Sequence, residues 1–295
     1  MLNKQENVEN KNTLKNSKKN GVTKNGNGTN GHAAIDFSAI KTGGTFLTNV
    51  VGSEKVFCKE LFSEEEKMIY EAMKDFATNE LLPLSQNELN KKDEKLIRKL
   101  VEQMGELGFL GIDVPEKYGG SEMTKTGMCI LAEGISFCGS ASFCTVWNVQ
   151  TSIGSLGIIW YGNDEQKKKW LPGICSGEKI AAFGLTEPEA GSDATNSKTV
   201  GVLSDDGKHY ILNGQKIFIS NGAWADTFII ALKIDGKFSS IVVEKGTPGF
   251  DIGKEEKKMG MEGSSTVPLY FSDCKVPVEN LLGKVGDGAG PAFCG

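Results

Sequence analysis

Two stretches decide how this chain reads: FGLTEPEAGSD, Phe183 to Asp193, and NGQKIFISNG, Asn213 to Gly222. In the first, Pro188 and Gly191 break regular structure, so the segment reads as a loop leaving a strand that contains Ala181 to Leu185. Such a loop offers the hydroxyls of Thr186 and Ser192, and the missing Cβ at Gly191 lets backbone approach a ligand closely. That suits a phosphate, or a planar ring bearing carbonyl and imide groups. In the second stretch Phe218 and Ser220 alternate with Ile217 and Ile219, which predicts an aromatic and a hydroxyl on one face of a strand. Taken singly, a capped turn explains the first stretch and a half-polar strand face the second.

Around these stretches the turn signals are closely spaced: DDG at Asp205 to Gly207, NG at Asn213 and Asn221, and DG at Asp235. They separate the short runs HYIL, KIFIS, TFIIAL and SSIVVE, which predicts an antiparallel, barrel-like β domain rather than alternating strands and helices. Upstream the period is helical. Ser63 and Glu66 can form a capping box ahead of Ile69, Ala72, Met73 and Phe76. Pro83 then ends or bends that helix. Near Lys95 a second helix places Leu96, Ile97, Leu100, Val101, Met104 and Leu107 on one stripe, with Gly108 as its C-cap. VPEKYGG, Val114 to Gly120, reads as a loop. Helical stretches follow over about Thr124 to Phe137, about Ser142 to Tyr161, and after an Asn163 cap. The fold class is therefore α+β, helices first.

Length allows about two domains. With 33 basic and 38 acidic residues no global field recruits nucleic acid or an anionic membrane. Arg98 is the only arginine, so an anionic ligand must be held by Lys, hydroxyls and backbone amides. Seven cysteines without a CxxC pair favour neither a zinc site nor a secreted disulfide frame and read as small buried thiols in a reducing compartment. Two histidines, His32 in a polar tail and His209 beside a turn, argue against a Ser-His-Asp hydrolase or a His-rich metal enzyme. No run of about 18 apolar residues is present to span a membrane. Residues 1 to about 31, dominated by Asn, Lys, Gly and Thr, read as a disordered tail. The tail has no Arg and carries Glu6 and Glu9, unlike a mitochondrial transit peptide, so a cytoplasmic location is expected, with the mitochondrial matrix as the alternative for a eukaryotic source.

The two opening stretches stand in a wider context. VPEKYGG lies upstream, YGNDEQKKKWLPGICSGEKIAAF (Tyr161 to Phe183) leads in, and PLYFSDCKVPVENLLG (Pro268 to Gly283) follows. In this order and spacing the chain resembles the acyl-CoA dehydrogenase family over about residues 60 to 290. The resemblance implies a tail and linker over 1–55, a helical N-terminal domain over 56–180, a middle β domain over 181–282, and in 283–295 the start of a C-terminal helical bundle. It also implies FAD. The backbone of Phe183, Gly184, Leu185 and Thr186 would run along the flavin's pyrimidine edge, with the Thr186 hydroxyl near N1 and O2. Gly191 and Ser192 would approach the pyrophosphate, Ser192 also the CoA portion of the substrate. Phe218 would lie against the flavin face, Ile219 beside it, and Ser220 would bond N5. Many relatives carry Trp and Thr in place of Phe218 and Ser220; Phe keeps the stacking surface and Ser keeps the hydroxyl.

The implied reaction is α,β-dehydrogenation of acyl-CoA to trans-2-enoyl-CoA, with electron-transferring flavoprotein as acceptor and a homo-oligomer as the complete form. No catalytic residue is assigned. The family's base is expected beyond Gly295, and Glu187, Glu189, Glu262 and Glu279 are assigned to turns or surface. KVGDGAGPAFCG places Pro291 where relatives begin a helix, and too few residues follow it to form one. The reading is therefore of a truncated form. A non-catalytic fragment or interaction module, with weak or no FAD binding, and an acyl-CoA oxidase-like flavoenzyme are the alternatives.

Overall fold

Helix α1, Glu64–Phe76, starts at the expected capping box: Ser63 Oγ accepts from the Glu66 N–H at 3.1 Å and the Glu66 carboxylate accepts from the Ser63 N–H at 2.9 Å. The computed structural model describes residues 59 to 293, apart from Gln86 and the side chain of Glu60. The expected tail and linker over 1–55, with His32, Cys58 and Cys294, lie outside the described residues. Pro83 does not cut α1 short; the chain widens into a π turn over Ala77–Leu81 and tightens into a 3₁₀ turn over Leu82–Leu84.

Helix α2, Glu94–Glu106, buries Ile97, Leu100, Val101 and Met104, but Leu107 is exposed. The helix ends there, Gly108 turns the chain at φ +76°, and Phe109 takes the core position instead. VPEKYGG folds as a 3₁₀ turn over Glu116–Tyr118 that buries Tyr118. Helix α3 is Lys125–Ile135. The expected stretch from Ser142 to Tyr161 is two helices, α4 (Ala141–Thr151) and α5 (Leu156–Tyr161). A Cβ on Gly154, between them, would stand 2.7 Å from the Val149 carbonyl and 2.9 Å from Cβ of Ala181, so the break lets the first strand pass. Helix α6, Asp164–Ser176, carries the Asn163–Gln166 capping box, and the Gln166 amide also donates to the carbonyls of Glu279 and Leu281.

Eight strands follow among the described residues: β1 (Ala181–Gly184), β2 (Val200–Leu203), β3 (His209–Ser220), β4 (Thr227–Ile234), β5 (Lys237–Glu244), β6 (Phe250–Ile252), β7 (Thr266–Pro277) and β8 (Leu281–Leu282). The order is β6-β7-β3-β2-β4-β5-β8, with β1 also on β4. The helices-then-strands order is as predicted, but the purely antiparallel, barrel-like form is corrected. The sheet is mixed, because β1 and β2 both run parallel to β4, β1 beside Thr227–Ile230 and β2 beside Lys233–Ile234. Its path is open from β6 to β8. One edge of β4 thus carries both ends of the segment that leaves the sheet at Gly184 and returns at Val200.

Two local expectations also change. Asn213-Gly214 is not a turn: β3 runs through it opposite β7 and absorbs it as a bulge, with Gly214 at φ +143°. Asp235-Gly236 is the expected two-residue hairpin, both residues at positive φ, 50° and 72°. At the end of the described residues Ala289–Phe293 forms one helical turn, α7, against expectation. The Gly288 N–H donates to the Phe238 carbonyl, Pro291 is buried, and Phe293 stacks on Phe238 at 6.0 Å, so tertiary contacts supply what helix propensity does not.

TFIIAL is buried throughout because both faces of β4 are covered. Phe228, Ile230 and Leu232 join a core continuous with α1, α2 and α4, while Ile229 and Val242 pack under α5 and α6. Arg98 clasps helix to sheet: it donates to Asp226 at 3.0 and 3.2 Å and to the Trp224 carbonyl at 2.6 Å, and Asp226 accepts from the Ile180 N–H at 2.9 Å. No helix among the described residues is long and apolar enough to cross a membrane.

Gly236 and Gly214 separate two causes of glycine dependence. Gly236, φ +72°, has open space where a Cβ would go, so G236A should cost about 1–2 kcal/mol, the left-handed penalty alone. At Gly214 a Cβ would sit 2.6 Å from Cα of Thr199, so G214A should lower the urea midpoint further. Equal midpoints for the two variants would show that β3 and Thr199 are free to separate.

Candidate functional site

The loop from Leu185 to Thr199 is held against β3 by a buried charge pair. Lys216, on β3, has no exposed side-chain surface, and its ammonium donates to Glu187 Oε1 at 2.6 Å, to the Leu185 carbonyl at 3.1 Å and to Ser197 Oγ at 3.4 Å. Glu187, 3% exposed, also accepts from Ser197 Oγ and the Lys198 N–H at 2.5 Å and from the Thr199 N–H at 3.1 Å. Burial alone would raise the Glu187 carboxyl; hydrogen bonds from Lys216, Ser197, Thr199 and the Lys198 N–H overcome that and hold it at about 2. Burial pushes the Lys216 ammonium down from its ordinary value, against the opposing pull of Glu187. Glu187 does open a tight turn to Ala190, as expected, but its side chain is buried rather than at the surface.

This pair brings the two sequence stretches side by side. The Ile217 N–H donates to the Thr186 carbonyl at 2.9 Å. Gly184 is buried beside Lys216, where a Cβ would lie 3.4 Å from the lysine Cγ. With the Leu185 and Thr186 carbonyls already accepting, that corner presents N–H and O–H donors. The hydroxyls of Thr186, Ser192 and Ser220 make no hydrogen bond among the described residues. Thr186 and Ser220 are half-buried, Ser192 is exposed, and the position of a Cβ on exposed Gly191 is open space.

The predicted face of β3 is reshaped. The β3–β7 register slips between Lys216 and Ile219, and Phe218 sits in the bulge at φ +60°. Ile219 is buried, while Phe218 is 61% exposed. An aromatic held outward at a left-handed φ is strained and offers its ring to whatever covers it. Phe183 is half-buried against the Ile229 cluster. A separate cleft of about 320 Å³, lined by Glu187, Pro188, Lys198, Thr199, Gln215 and Tyr270 among others, contains none of the nine predicted cofactor residues. Of these nine, Gly191, Ser192 and Phe218 are exposed, and Gly184 and Ile219 are buried. Among the described residues no group of three or more His, Cys, Asp or Glu could hold a metal ion.

Comparison with known proteins follows the same division. Residues 63–178 match the family model described as "Acyl-CoA dehydrogenase, N-terminal domain", and 182–274 match "Acyl-CoA dehydrogenase, middle domain". The chain belongs to the acyl-CoA dehydrogenase family. A "Probable acyl-CoA dehydrogenase" of Bacillus subtilis is 46% identical over 255 residues, 86% of this chain and 42% of the relative. A short-chain specific acyl-CoA dehydrogenase of Clostridium acetobutylicum is 40% identical over 77% of this chain and 60% of its own length. Among solved structures, an acyl-CoA dehydrogenase complexed with FAD from Bacillus anthracis superposes with a TM-score of 0.80 at 46% identity, over 85% of this chain and 44% of that one. The chain thus spans 42–60% of the length of these curated relatives.

Lys216, Glu187 and Ser197 are the site-building residues that sequence reading missed in this acyl-CoA dehydrogenase family member. A signal existed: a lysine bordering the apolar run IFI needs a buried partner if it points inward. The bulges at Gly214 and Phe218 hide which way it points.

Removing one partner leaves the other charge buried and unpaired, so E187Q and K216M should each cost about 3–5 kcal/mol. The double variant E187L/K216L should cost clearly less than the two singles added, measured by urea unfolding. Glu187 is held below its unfolded value, so its contribution is present above the ordinary carboxylate range and lost as pH falls toward about 2. Acid unfolding of E187Q should accordingly depend less on pH across that interval than that of the parent.

Proposed function

We propose that this chain forms the flavin-binding wall of an FAD-dependent enzyme that dehydrogenates acyl-CoA thioesters to trans-2-enoyl-CoA. One observation supports the reading most: Thr186 and Ile217 are hydrogen-bonded neighbours, so two distant stretches present one corner of unpartnered donors beside an exposed aromatic. Those donors fit FAD. The Leu185 and Thr186 carbonyls are occupied, so the corner offers N–H and O–H groups to an edge made of carbonyl oxygens and ring nitrogens. FAD, when bound, supplies the acceptor for a hydride from the carbon β to the thioester.

In this reading the Thr186 hydroxyl and neighbouring backbone donate to the pyrimidine edge, where hydrogen bonds favour the reduced, more negative form. The Ser220 hydroxyl donates to the atom that receives hydride. Phe218 covers one ring face and excludes water from it. Ser192 and Gly191 meet the phosphates, the latter without steric cost. Removal of the α-proton needs a desolvated carboxylate held close to it. Glu187 cannot serve, since four hydrogen-bond donors, from Lys216, Ser197, Lys198 and Thr199, already occupy its carboxylate; the base is assigned to sequence outside these residues. Acyl-CoA as substrate, electron-transferring flavoprotein as acceptor, a homo-oligomeric whole and a cytoplasmic setting belong to the same proposal.

Quenching of FAD fluorescence by the purified chain tests the residue roles. Each of T186V and S220A should weaken FAD binding by about three- to tenfold, the worth of one hydrogen bond. T195A, an exposed loop threonine bonded only to Asp193, should leave it unchanged. Identical affinities for all three variants would remove Thr186 and Ser220 from the site. Bleaching of the bound flavin by an acyl-CoA with the chain alone would overturn the assignment of the base.

A further inference from the structure

The segment SFCGSASFC, Ser136 to Cys144, is built as a sharp reversal. Helix α3 ends in a 3₁₀ turn over Ser136–Cys138, Gly139 turns the chain at φ +67°, and Ser140 caps α4 by accepting from the Phe143 N–H. The reversal lays the last residue of the turn over the first turn of α4. Cys138 Sγ and Cys144 Sγ lie 3.6 Å apart. Cys138 is fully covered, while Cys144 is half-buried, so a small solute reaches the pair over Cys144.

The surroundings set this pair apart from the other described cysteines. Cys138 Sγ accepts from the Ser140 N–H at 3.3 Å and lies 3.4 Å from the Ser140 carbonyl; Cys144 Sγ lies 3.8 Å from the Ile135 carbonyl. The Cys144 thiol hydrogen bond, against burial and aided by the Ser140 N–H, draws the Cys138 thiol down to about 7, and Cys144 is pushed up correspondingly. The first proton of the pair is thus held more weakly than that of an ordinary thiol. Burial pushes Cys175 up to about 12 and Cys274 up to about 11, which makes them inert by comparison. Cys129 is exposed and stands alone.

We propose that Cys138 and Cys144 form a dithiol modification site that closes to an intramolecular disulfide when a hydroperoxide reaches it. The chemistry balances. A thiolate of the pair, reached over half-buried Cys144, attacks one peroxide oxygen, the O–O bond breaks, and the released hydroxide takes a proton to leave as water, giving a sulfenic acid. The other sulfur of the pair then attacks the sulfenic sulfur, the S–S bond forms, the S–OH bond breaks, and a second water leaves. Two thiols lose two electrons and two protons, and one hydrogen peroxide becomes two waters. The sulfurs, 3.6 Å apart, must approach by about 1.5 Å to reach bonding distance.

The expected consequence is local. The first turn of α4 is tied to its surroundings through Ser142 Oγ, which accepts from the Gly263 N–H at 3.2 Å, and through buried Phe143. Closing the disulfide fixes that turn to the end of α3 without touching the donors around Thr186.

Hydrogen peroxide, added to the folded chain and then removed, is the probe, followed by denaturation, alkylation of free thiols and mass spectrometry. The parent and C129S should each lose two alkylatable thiols and two hydrogens, with fragmentation joining Cys138 to Cys144, and dithiothreitol should restore both. C138S and C144S should instead show added oxygen on the remaining sulfur and no internal crosslink. Full alkylation of Cys138 and Cys144 in the oxidised parent, or a crosslink through Cys129, would overturn the proposal. The parent and C129S decide the matter even where a serine variant fails to fold.

Discussion

The Lys216–Glu187 pair is the constraint on which the rest of the site depends. A loop that leaves β4's edge at Gly184 and returns at Val200 carries main-chain groups into the interior, and each must be paired. Glu187 accepts from the N–H groups of Lys198 and Thr199, and Lys216 donates to the Leu185 carbonyl, so the pair satisfies both ends of the loop at once. An apolar pair of the same volume would fill the space and leave those backbone groups unpaired. Geometry, more than net stability, is what such a buried pair contributes. Its effect is to fix Thr186 beside Ile217 while leaving the Thr186 hydroxyl unused.

The helices matter to this corner through β1. The Ala181 N–H is taken by Gln150 of α4 at 2.8 Å, and its carbonyl accepts from the Asn221 amide at 3.3 Å, which also donates to Val146 at 3.1 Å. Asp226 fixes the Ile180 N–H and is itself fixed by Arg98. A strand of four residues pairs weakly by itself. Here it is positioned from three sides before the loop begins, so Phe183 and Gly184 inherit their placement from α2, α4 and the turn at Asn221.

Much of this was legible in the residues. The caps at Ser63 and Asn163, the Asp235-Gly236 hairpin and the apolar stripe of α2 are local devices whose chemistry is complete within a few residues. What escaped reading depends on partners far away in sequence. Asn213-Gly214 has the composition of a turn and becomes a bulge because β7 offers a continuous partner over twelve residues. Ser142 to Tyr161 has the periodicity of one helix and breaks because Ala181 occupies the space at Gly154. Five residues at Ala289 form a helical turn only because Phe238 and Gly288 receive them. Glu187 looked peripheral because its partner is 29 residues away behind a bulge.

The bulge at Phe218 shows why the site could be recognised and yet not drawn from sequence. Strict alternation would put Phe218 and Ser220 on one face and Lys216 with them; the structure instead gives a buried lysine, an outward phenylalanine and a buried isoleucine in succession. A strand without the slip could not bury Lys216 under Gly184 and turn Phe218 outward while keeping Ile219 in the core. The extra residue therefore gives one strand two faces, an inner anchor for the loop and an outward aromatic surface. Left-handed φ at a non-glycine residue costs about 1–2 kcal/mol, and β3 sustains it because Thr266 and Val267 of β7 pair again immediately beyond at Ser220 and Ile219.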